Sequence, residues 1–291
     1  MAVKNSMKVS ILVANYNNGK FFNDCYISIV EQTYDNWEVI IVDDGSTDNS
    51  VEIIRRIIKD HKNFKLFEND KNYGCGYTKR RCVELATGDV CGFLDPDDAL
   101  VPIALEKMVL AYINQDYVLV YSRHHKCDTN LNKTGTSKNG QILKEDIFNL
   151  NYDITAFTTF LRKAYLQTEG INAYCKRAVD QDLYIKLLEI GKAKFINELL
   201  YLYRIHSMGI ASNLNPEKAY FWHWFAIMKA AERRQLNIEN LFTETFILRK
   251  RFLALEKAVN ESEFKKISEF LYPILKLFKV KKPNRNKLKF R

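Results

Sequence analysis

Two clusters of carboxylates each follow a short apolar run, and their spacing suits the binding of a cation and a phosphorylated ligand. The apolar run at 37–42 leads into Asp43-Asp44-Gly45-Ser46-Thr47-Asp48, and the run at 90–94 leads into Asp95-Pro96-Asp97-Asp98. Open α/β folds bind ligands at the carboxyl ends of their strands, and crowded carboxylates there need a cation or hydrogen-bond donors. The two clusters therefore predict an enzyme that uses a metal ion and a nucleotide.

The second cluster has the chemistry of a metal and ribose site. Pro96 stiffens the bend, so that alternate carboxylates can reach a hard divalent cation and a ribose hydroxyl from one turn. Mg²⁺ or Mn²⁺ bridging two phosphates neutralises the charge that grows on a departing diphosphate. The alternative for this second cluster is an ordinary turn followed by a helix. The first cluster can likewise be an ordinary strand-to-helix turn, because Asp, Gly, Ser and Thr are common turn and capping residues.

The elements that must position these clusters alternate between strand and helix. The apolar pattern predicts strands at 9–14, 37–42, 63–68, 89–94 and 117–122, and helices at 19–32, 47–60, 75–87 and 101–113. Such alternation is typical of right-handed crossovers and a largely parallel, twisted sheet flanked by helices. The polar segment 126–139 is predicted to be a surface loop, with a lid over the site as the alternative. A helix at 180–189, a strand at 194–205 and two or three helices beyond Pro216 follow.

Length and composition allow one sizeable core with an appendage. The chain has 291 residues, of which 47% are hydrophobic. We expect a first domain at 1–213, with a nucleotide-binding part at about 7–122 and an acceptor and catalytic part at about 123–213. A helical extension at 214–272 and a basic tail at 273–291 complete the predicted organisation.

The net charge of +9 is concentrated at the carboxyl terminus. Beyond Glu269 there is no acidic residue, and eight cations occur: Lys276, Lys279, Lys281, Lys282, Arg285, Lys287, Lys289 and Arg291. The remainder is close to neutral, so bulk charge does not indicate a nucleic-acid partner. The tail and the apolar segment 270–280 before it fit a tether to an anionic membrane surface, each cation near the lipid contributing ~1 kcal/mol. A solvated tail is the alternative, and an RNA-binding arm is a third.

Several protein classes have no support in the sequence. No secretory signal and no run of roughly 18 apolar residues is visible. The six cysteines form no Cys-x-x-Cys pair, which favours reduced thiols in a cytoplasmic protein. Neither Gly-x-Gly-x-x-Gly, nor a phosphate-binding Gly-Lys-Ser/Thr loop, nor Gly-x-Ser-x-Gly, nor His-Glu-x-x-His occurs. Dinucleotide binding, ATP hydrolysis and serine or zinc hydrolase chemistry are therefore not indicated.

Over residues 7–213, the ordered series of motifs resembles the family 2 glycosyltransferases of the GT-A fold. The resemblance rests on Tyr16-Asn17, Ser28-x-x-x-Gln32-Thr33-Tyr34, the two acidic clusters, Asn72-x-Gly74, Gly88-Asp89, Val179-Asp180-Gln181-Asp182-Leu183 and Tyr203-Arg204-Ile205-His206. Each motif alone is weak, whereas their order along one chain is specific. Thr78-Lys79-Arg80 departs from the Ala-Arg-Asn of the family pattern.

The resemblance implies a role for each matched position. The end of the first strand, Ala14, Asn15 and Tyr16, and the turn residue Asp44 would hold the uracil of a UDP-sugar. Asp95 and Asp97 would bind the ribose and the metal, and Asn72, Gly74 and Lys79 would add donor contacts. Arg204 would meet the diphosphate and His206 would complete the metal sphere. Asp180 corresponds to the base of inverting members, whereas Asp98 and Asp182 are additional acidic residues; in the first turn of a helix Asp182 can also simply support the helix dipole.

The sequence thus predicts an inverting, metal-dependent glycosyltransferase that uses Mg²⁺ or Mn²⁺. It would move a sugar, of the hexosyl or N-acetylhexosaminyl type, from a UDP-sugar to a hydroxyl of a lipid-linked or growing bacterial surface glycan. The expected location is the cytoplasm, as a peripheral protein on the inner face of the membrane if the tail binds lipid. A sugar nucleotidyltransferase and a catalytically silent sugar-nucleotide-binding or membrane-scaffold protein are the alternatives.

Overall fold

Four parallel strands form the first half of the sheet, and each of the first three is followed by a helix as the apolar pattern predicts. They are β1 (Val9–Asn15), β2 (Trp37–Asp43), β3 (Phe64–Glu68) and β4 (Val90–Phe93), in the spatial order β3-β2-β1-β4. The intervening helices are α1 (Phe22–Val30), which follows a 3₁₀ turn at Gly19–Phe21, α2 (Ser50–Ile58) and α3 (Cys75–Leu85). Nearly all residues of β1 and β2 are buried, because helices cover both faces of a parallel sheet.

The second half of the sheet is mixed. Its elements are β5 (Ala99–Leu100), α4 (Ala104–Tyr112), β6 (Tyr117–Cys127), β7 (Lys133–Thr136), β8 (Thr158–Leu161), α5 (Arg162–Tyr165), α6 (Val179–Leu188), β9 (Lys192–Arg204) and α7 (Pro216–Arg233). The sheet continues from β4 through β8, β6 and β9 to β5, and β7 pairs with β6. The β6 and β9 strands are parallel, whereas β8 is antiparallel to both β4 and β6.

The strand order reverses between β1 and β4, which creates a crevice at the carboxyl edge of the sheet. From β1 the chain moves outward to β2 and β3, and it then returns to pair β4 with the other side of β1. Right-handed crossovers place α1 and α2 on one face and α3 on the other, and α1 packs on α2 whereas α3 packs on β1, β2 and α6. Both acidic clusters lie beside this reversal, where open α/β sheets bind ligands.

The prediction of a loop at 126–139 was wrong at 126–127 and at 133–136, which are strand. The β6 strand continues to Cys127, and β7 returns beside it as a hairpin. The turn is closed by Asp128, whose Oδ1 accepts the backbone N–H groups of Asn130 and Asn132 at 2.8 and 3.0 Å. All four β7 residues are exposed. A strand exposed on both faces carries no apolar alternation, so its sequence resembles that of a loop.

The computed structural model describes residues 7–113, 115–137, 148–150, 152–206, 216–247, 251 and 253–255. The chain divides into two units, Met1–Arg233 and Arg234–Arg291, so that α7, expected to begin the helical extension, belongs to the first unit. Within the second, α8 (Glu239–Phe242) leads into a π-helical turn at Thr243–Ile247. The predicted tail at 273–291, and with it the membrane-tether hypothesis, lies outside the described residues, as do residues 138 and 139 of the predicted loop or lid. None of the described helices is both long and apolar enough to span a bilayer.

At the amino ends of the strands, the buried carboxylate of Glu38 joins three strands. It accepts hydrogen bonds from Lys8 Nζ (2.9 Å), Ser10 Oγ (2.8 Å) and the backbone N–H of Thr87 (2.7 Å), and Lys65 Nζ lies 3.2 Å away on β3. Burial by itself would raise the pKa of Glu38, but these donors outweigh it and lower the pKa to about 2. The ionised carboxylate therefore stabilises the folded sheet.

We expect Glu38→Gln to lower the free energy of unfolding at pH 7 by about 2–3 kcal/mol, because four donors lose an anionic acceptor. The folded pKa lies below the unfolded value, so this stabilisation is present above pH 4.5 and is lost as the pH falls towards 2. Urea unfolding at pH 7, 4 and 3 should show a steeper loss for the wild type than for Glu38→Gln. Parallel curves for the two proteins would contradict the assignment.

Candidate active site

The acidic turn after β4 is anchored to β9 through Asp98. The Oδ2 atom of Asp98 accepts the hydroxyl of Tyr201 at 2.7 Å, and its Oδ1 accepts the backbone N–H of Arg204 at 2.7 Å. The same Tyr201 oxygen accepts the N–H of Asp95 at 3.3 Å. Burial, together with the neighbouring charges of Asp97 and Asp95, raises the pKa of Asp98 well above its usual range. Asp98 therefore holds the turn in place and leaves Asp95 and Asp97 to face the crevice.

Asp97 and His206 form a pair of potential metal ligands. His206 Nε2 lies 2.7 Å from Asp97 Oδ2, both side chains are largely buried, and the Phe21 ring packs on the imidazole with centroids 4.8 Å apart. Among the described residues, His206 Nδ1 is a buried nitrogen without a hydrogen-bond partner.

Two protein ligands are too few for a site built from protein groups alone, but they are enough for an ion such as Mg²⁺ that also binds phosphate and water. No group of three or more His, Cys, Asp or Glu side chains in the described part of the chain is preassembled to hold a metal. Mg²⁺ is usually bound through one or two carboxylates, with phosphate oxygens and waters completing the octahedron. A carboxylate and an imidazole already 2.7 Å apart, at the edge of a ligand crevice, are consistent with that mode.

Arg204 is occupied by internal contacts. Its Nε donates to the carbonyl of Asp97 at 2.5 Å, its Nη1 to the carbonyl of Thr129, and its Nη2 pairs with Asp24 Oδ2 at 2.7 Å. The guanidinium also stacks over the Phe21 ring at 4.7 Å, and the side chain is only 2% exposed. In this structure Arg204 therefore positions the acidic turn against α1, and its predicted contact with a diphosphate stays a prediction.

Lys79 connects the two sides of the crevice. Its Nζ lies 2.9 Å from Asp180 Oδ1 and 3.6 Å from Asp95 Oδ1, above the Phe93 ring at 4.8 Å. Burial alone would lower the pKa of Lys79, but Asp180 and Asp95 outweigh it and raise the pKa well above its usual value. The ammonium therefore stays charged between the predicted base and a predicted donor-binding carboxylate.

Asp180 enters the crevice from the first turn of α6. The residue before this helix, Ala178, has a left-handed conformation with φ 51° and ψ 29°. Such a conformation is uncommon for a residue with a Cβ and is often found near functional sites. The Asp180 side chain is 44% exposed, so it can receive a ligand while paired with Lys79.

Asp182 is part of the packing beneath this turn. It is almost fully buried, its Oδ2 accepts the N–H of Asn172 at 2.9 Å, and Lys186 Nζ pairs with the same oxygen at 2.9 Å. Lys186 also donates to the carbonyl of Gly170 at 2.8 Å. Asp182 thus ties α6 to the preceding turn, a contact more specific than the dipole support expected from the sequence.

Asp44 organises the loop that contains Asn72 and Gly74. Its Oδ1 accepts the side-chain amide of Asn69 at 2.7 Å and the N–H of Tyr73 at 3.0 Å, and its Oδ2 accepts the N–H of Gly74 at 2.8 Å. Gly74 has φ 98°, a conformation that favours glycine, and α3 begins immediately after it. Asp44, Asn72 and Gly74, for which contacts with a nucleotide are predicted, are therefore held close together.

The end of β1 is joined to the first acidic cluster. Asn15 Nδ2 donates to Asp43 Oδ2 at 2.7 Å, and Ser46 Oγ donates to the same oxygen at 2.6 Å. Asn15 Oδ1 is buried and has no partner in the described part of the molecule. The next residue, Tyr16, is 45% exposed. Asn15 and Tyr16, which follow Ala14, are thus placed at the carboxyl edge where a base was expected.

The structure brings the predicted residues into three linked groups, at Asp44, at Lys79 and at Asp97. Sequence reasoning missed Tyr201, Phe21 and Asp24, which support the group at Asp97 through Asp98, His206 and Arg204. A tyrosine two positions before Tyr203 on a strand was a usable signal for Tyr201, because alternate strand residues share a face. Nothing local marks Asp24, whose partner is 180 residues away.

Comparison with known proteins identifies the family and the fold of this chain. The sequence model of glycosyl transferase family 2 matches residues 10–184. Chondroitin synthase of Escherichia coli is 34% identical over 200 residues, which are 68% of this chain and 29% of that protein. The chain therefore spans under a third of that relative's length.

Two solved structures share the fold at low sequence identity. S. aureus TarS 1–349 in complex with UDP-GlcNAc has a TM-score of 0.59 and 19% identity, covering 76% of this chain and 66% of that chain. The mannosyltransferase PcManGT from Pyrobaculum calidifontis, in complex with GDP-Man and Mn²⁺, has a TM-score of 0.60 and 15% identity, covering 78% of this chain and 65% of that chain. With the crevice at the β1/β4 reversal and the match over residues 10–184, these findings establish that the chain belongs to glycosyl transferase family 2 and has the GT-A fold.

Proposed function

We propose that the protein is an inverting, metal-dependent glycosyltransferase that transfers a hexose or N-acetylhexosamine from a UDP-sugar to a glycan hydroxyl. The observation that carries the proposal is the Lys79 ammonium, which lies between Asp180 and Asp95. It brings the candidate base and the candidate donor-binding turn to one place. A transfer reaction needs this arrangement, because donor and acceptor must meet there.

The donor would lie along the carboxyl edge from β2 to β4. The uracil fits beside Asn15, Tyr16 and the loop held by Asp44, and the ribose fits at Asp95. UDP-GlcNAc in the TarS complex and GDP-Man in the PcManGT complex support a nucleotide-sugar donor. Asp97 and His206 would hold Mg²⁺ or Mn²⁺, which when bound neutralises charge on the diphosphate.

Asp180 supplies the base in this proposal. Its carboxylate takes the proton from the acceptor hydroxyl as that oxygen bonds to the anomeric carbon. The bond between this carbon and the diphosphate oxygen breaks on the opposite side, UDP leaves, and the configuration inverts. Lys79 orients the Asp180 carboxylate and, within 3.6 Å of Asp95, adds positive charge beside the departing diphosphate.

The acceptor in the proposal is a growing or lipid-linked bacterial surface polysaccharide. The similarity to a chondroitin synthase supports a glycan acceptor. The two alternatives remain open to experiment. A sugar nucleotidyltransferase would release diphosphate from a nucleoside triphosphate, and a silent binding protein would retain donor affinity without UDP release.

The deciding measurement is UDP release from a panel of UDP-sugars with glycan oligosaccharides as acceptors. Binding of the donor should also raise the melting temperature in the presence of Mn²⁺, because a ligand that binds only the folded state stabilises it. Donor stabilisation without UDP release for any acceptor would favour the silent protein, and diphosphate release from UTP and a sugar phosphate would favour the nucleotidyltransferase.

We expect Asp97→Asn to abolish turnover and the Mn²⁺-dependent part of the melting shift produced by the donor. A neutral amide is a poor substitute for an anionic ligand to a hard cation. Asp60→Asn is a matched control, because Asp60 is 80% exposed and lies outside the crevice. Full wild-type activity in excess EDTA, or unchanged activity of Asp97→Asn, would overturn the metal assignment.

Asp180→Asn should lower kcat by a factor of at least ~10² with nearly unchanged donor affinity, since removal of a general base typically costs that much. Asp182→Asn should instead lower the free energy of unfolding, by about 3 kcal/mol, because it leaves the buried Lys186 only the exposed and more distant Glu169, at 3.9 Å, as an anionic partner. Steady-state kinetics and urea unfolding of both variants separate the two effects. If Asp182→Asn keeps its stability but loses kcat, the two roles must be exchanged.

A further inference from the structure

A turn at residues 172–175 lies between the first turns of α3 and α6. The N–H of Gly76 donates to the carbonyl of Cys175 at 3.0 Å, and a Cβ at Gly76 would come within 2.5 Å of that oxygen. On the other side, the N–H of Asn172 donates to Asp182 Oδ2 at 2.9 Å. The turn is thus fixed to the two helix starts that supply Lys79 and Asp180.

An exposed aromatic residue, Tyr174, is located in this turn. Its side chain is 71% exposed, although its backbone N–H is held by Asn172 Oδ1 at 3.0 Å. The ring meets Trp222 of α7 edge to face, with centroids 5.6 Å apart. Trp222 in turn contacts Phe221 and Phe225 at 5.3 and 5.2 Å and packs against the core. The Tyr174 ring therefore projects into solvent from a well-supported position.

Such a ring is suited to stacking against a sugar. A pyranose presents a face of C–H groups that stacks on an aromatic ring, while its hydroxyls remain hydrated around the edge. Tyr and Trp provide this contact area with little loss of conformational entropy, because they have only two side-chain torsions.

We propose that Tyr174 and Trp222 form the surface on which the acceptor glycan lies. The proposal rests on the function proposed above, in which the acceptor hydroxyl must reach Asp180. A chain that presents a hydroxyl there must pass over residues next to the first turn of α6, and the 172–175 turn is tied to that helix start. In the proposed function the donor nucleotide binds at the loop held by Asp44. Tyr174 is therefore available to bind the acceptor.

The test uses the full chain and the variants Tyr174→Ala, Tyr174→Phe and Leu166→Ala. Leu166 is 63% exposed and serves as a control for loss of exposed apolar surface elsewhere. Hexasaccharides of chondroitin, hyaluronan and cellulose are the probes, with dissociation constants measured by saturation-transfer NMR. Donor binding is followed separately, as the melting shift produced by UDP-sugars with Mn²⁺.

We expect at least one hexasaccharide to bind, Tyr174→Ala to weaken its binding about tenfold, and Tyr174→Phe and Leu166→Ala to bind like the wild type. The donor-induced melting shift should be the same in all four proteins. Absence of hexasaccharide binding by the wild type, or equal binding by Tyr174→Ala, would overturn the proposal.

Other occupants of this surface would be recognised by their own signals. A dimer in sedimentation experiments that Tyr174→Ala dissociates would assign the surface to a second copy. Binding to phosphatidylglycerol vesicles that requires Tyr174 would assign it to lipid, and either result overturns the glycan proposal. If hexasaccharides bind through Tyr174 while no UDP-sugar shifts the melting temperature, the proposed donor chemistry fails and the glycan surface remains.

Discussion

The concentration of carboxylates at the carboxyl end of β4 is the constraint on which the rest of the structure depends. Asp95, Asp97 and Asp98 follow one short strand, and Asp180 approaches them from α6 through Lys79. Like charges this close repel and raise one another's pKa unless cations or donors compensate. The fold supplies the compensation from distant segments, chiefly from β9 and α3. This explains why the long β9 strand ends beside the acidic turn.

Buried carboxylates at the amino ends and at the carboxyl ends of the strands have different surroundings. At the amino ends of the strands, Glu38 is surrounded by ammonium, hydroxyl and backbone donors, and its low pKa adds to folding stability. At the carboxyl ends, Asp98 has a raised pKa, and one nitrogen of His206 has no partner among the described residues. Asp98 is nevertheless hydrogen-bonded to Tyr201 and Arg204, so the unpartnered nitrogen of His206 is the buried group that a bound ligand could satisfy.

The candidate site combines a part held by many hydrogen bonds, proposed to bind the donor, and a more exposed part, proposed to bind the acceptor. Asp44 fixes the loop before α3 with three hydrogen bonds, and Arg204 holds the acidic turn against α1 and the β6–β7 hairpin. On the other side, Tyr174 and Asp180 are exposed on segments joined to the same α3. The match to glycosyl transferase family 2 over residues 10–184 includes residues of both parts.

The sequence by itself determined the parallel half of the sheet, the two acidic turns and the family. Short continuous apolar runs and helices of period 3.6 report burial directly, so β1 to β4 and α1 to α3 were predicted to within a few residues. The free cysteines were also anticipated. Only the tertiary structure showed that Lys79 pairs with Asp180, 101 residues later, and that Asp98 pairs with Tyr201, 103 residues later. It also revealed that Arg204 serves an internal network and that β7 is a strand. Local patterns record which face of an element is buried, whereas the partner of a polar side chain is set by strand order and register, which bring distant segments together.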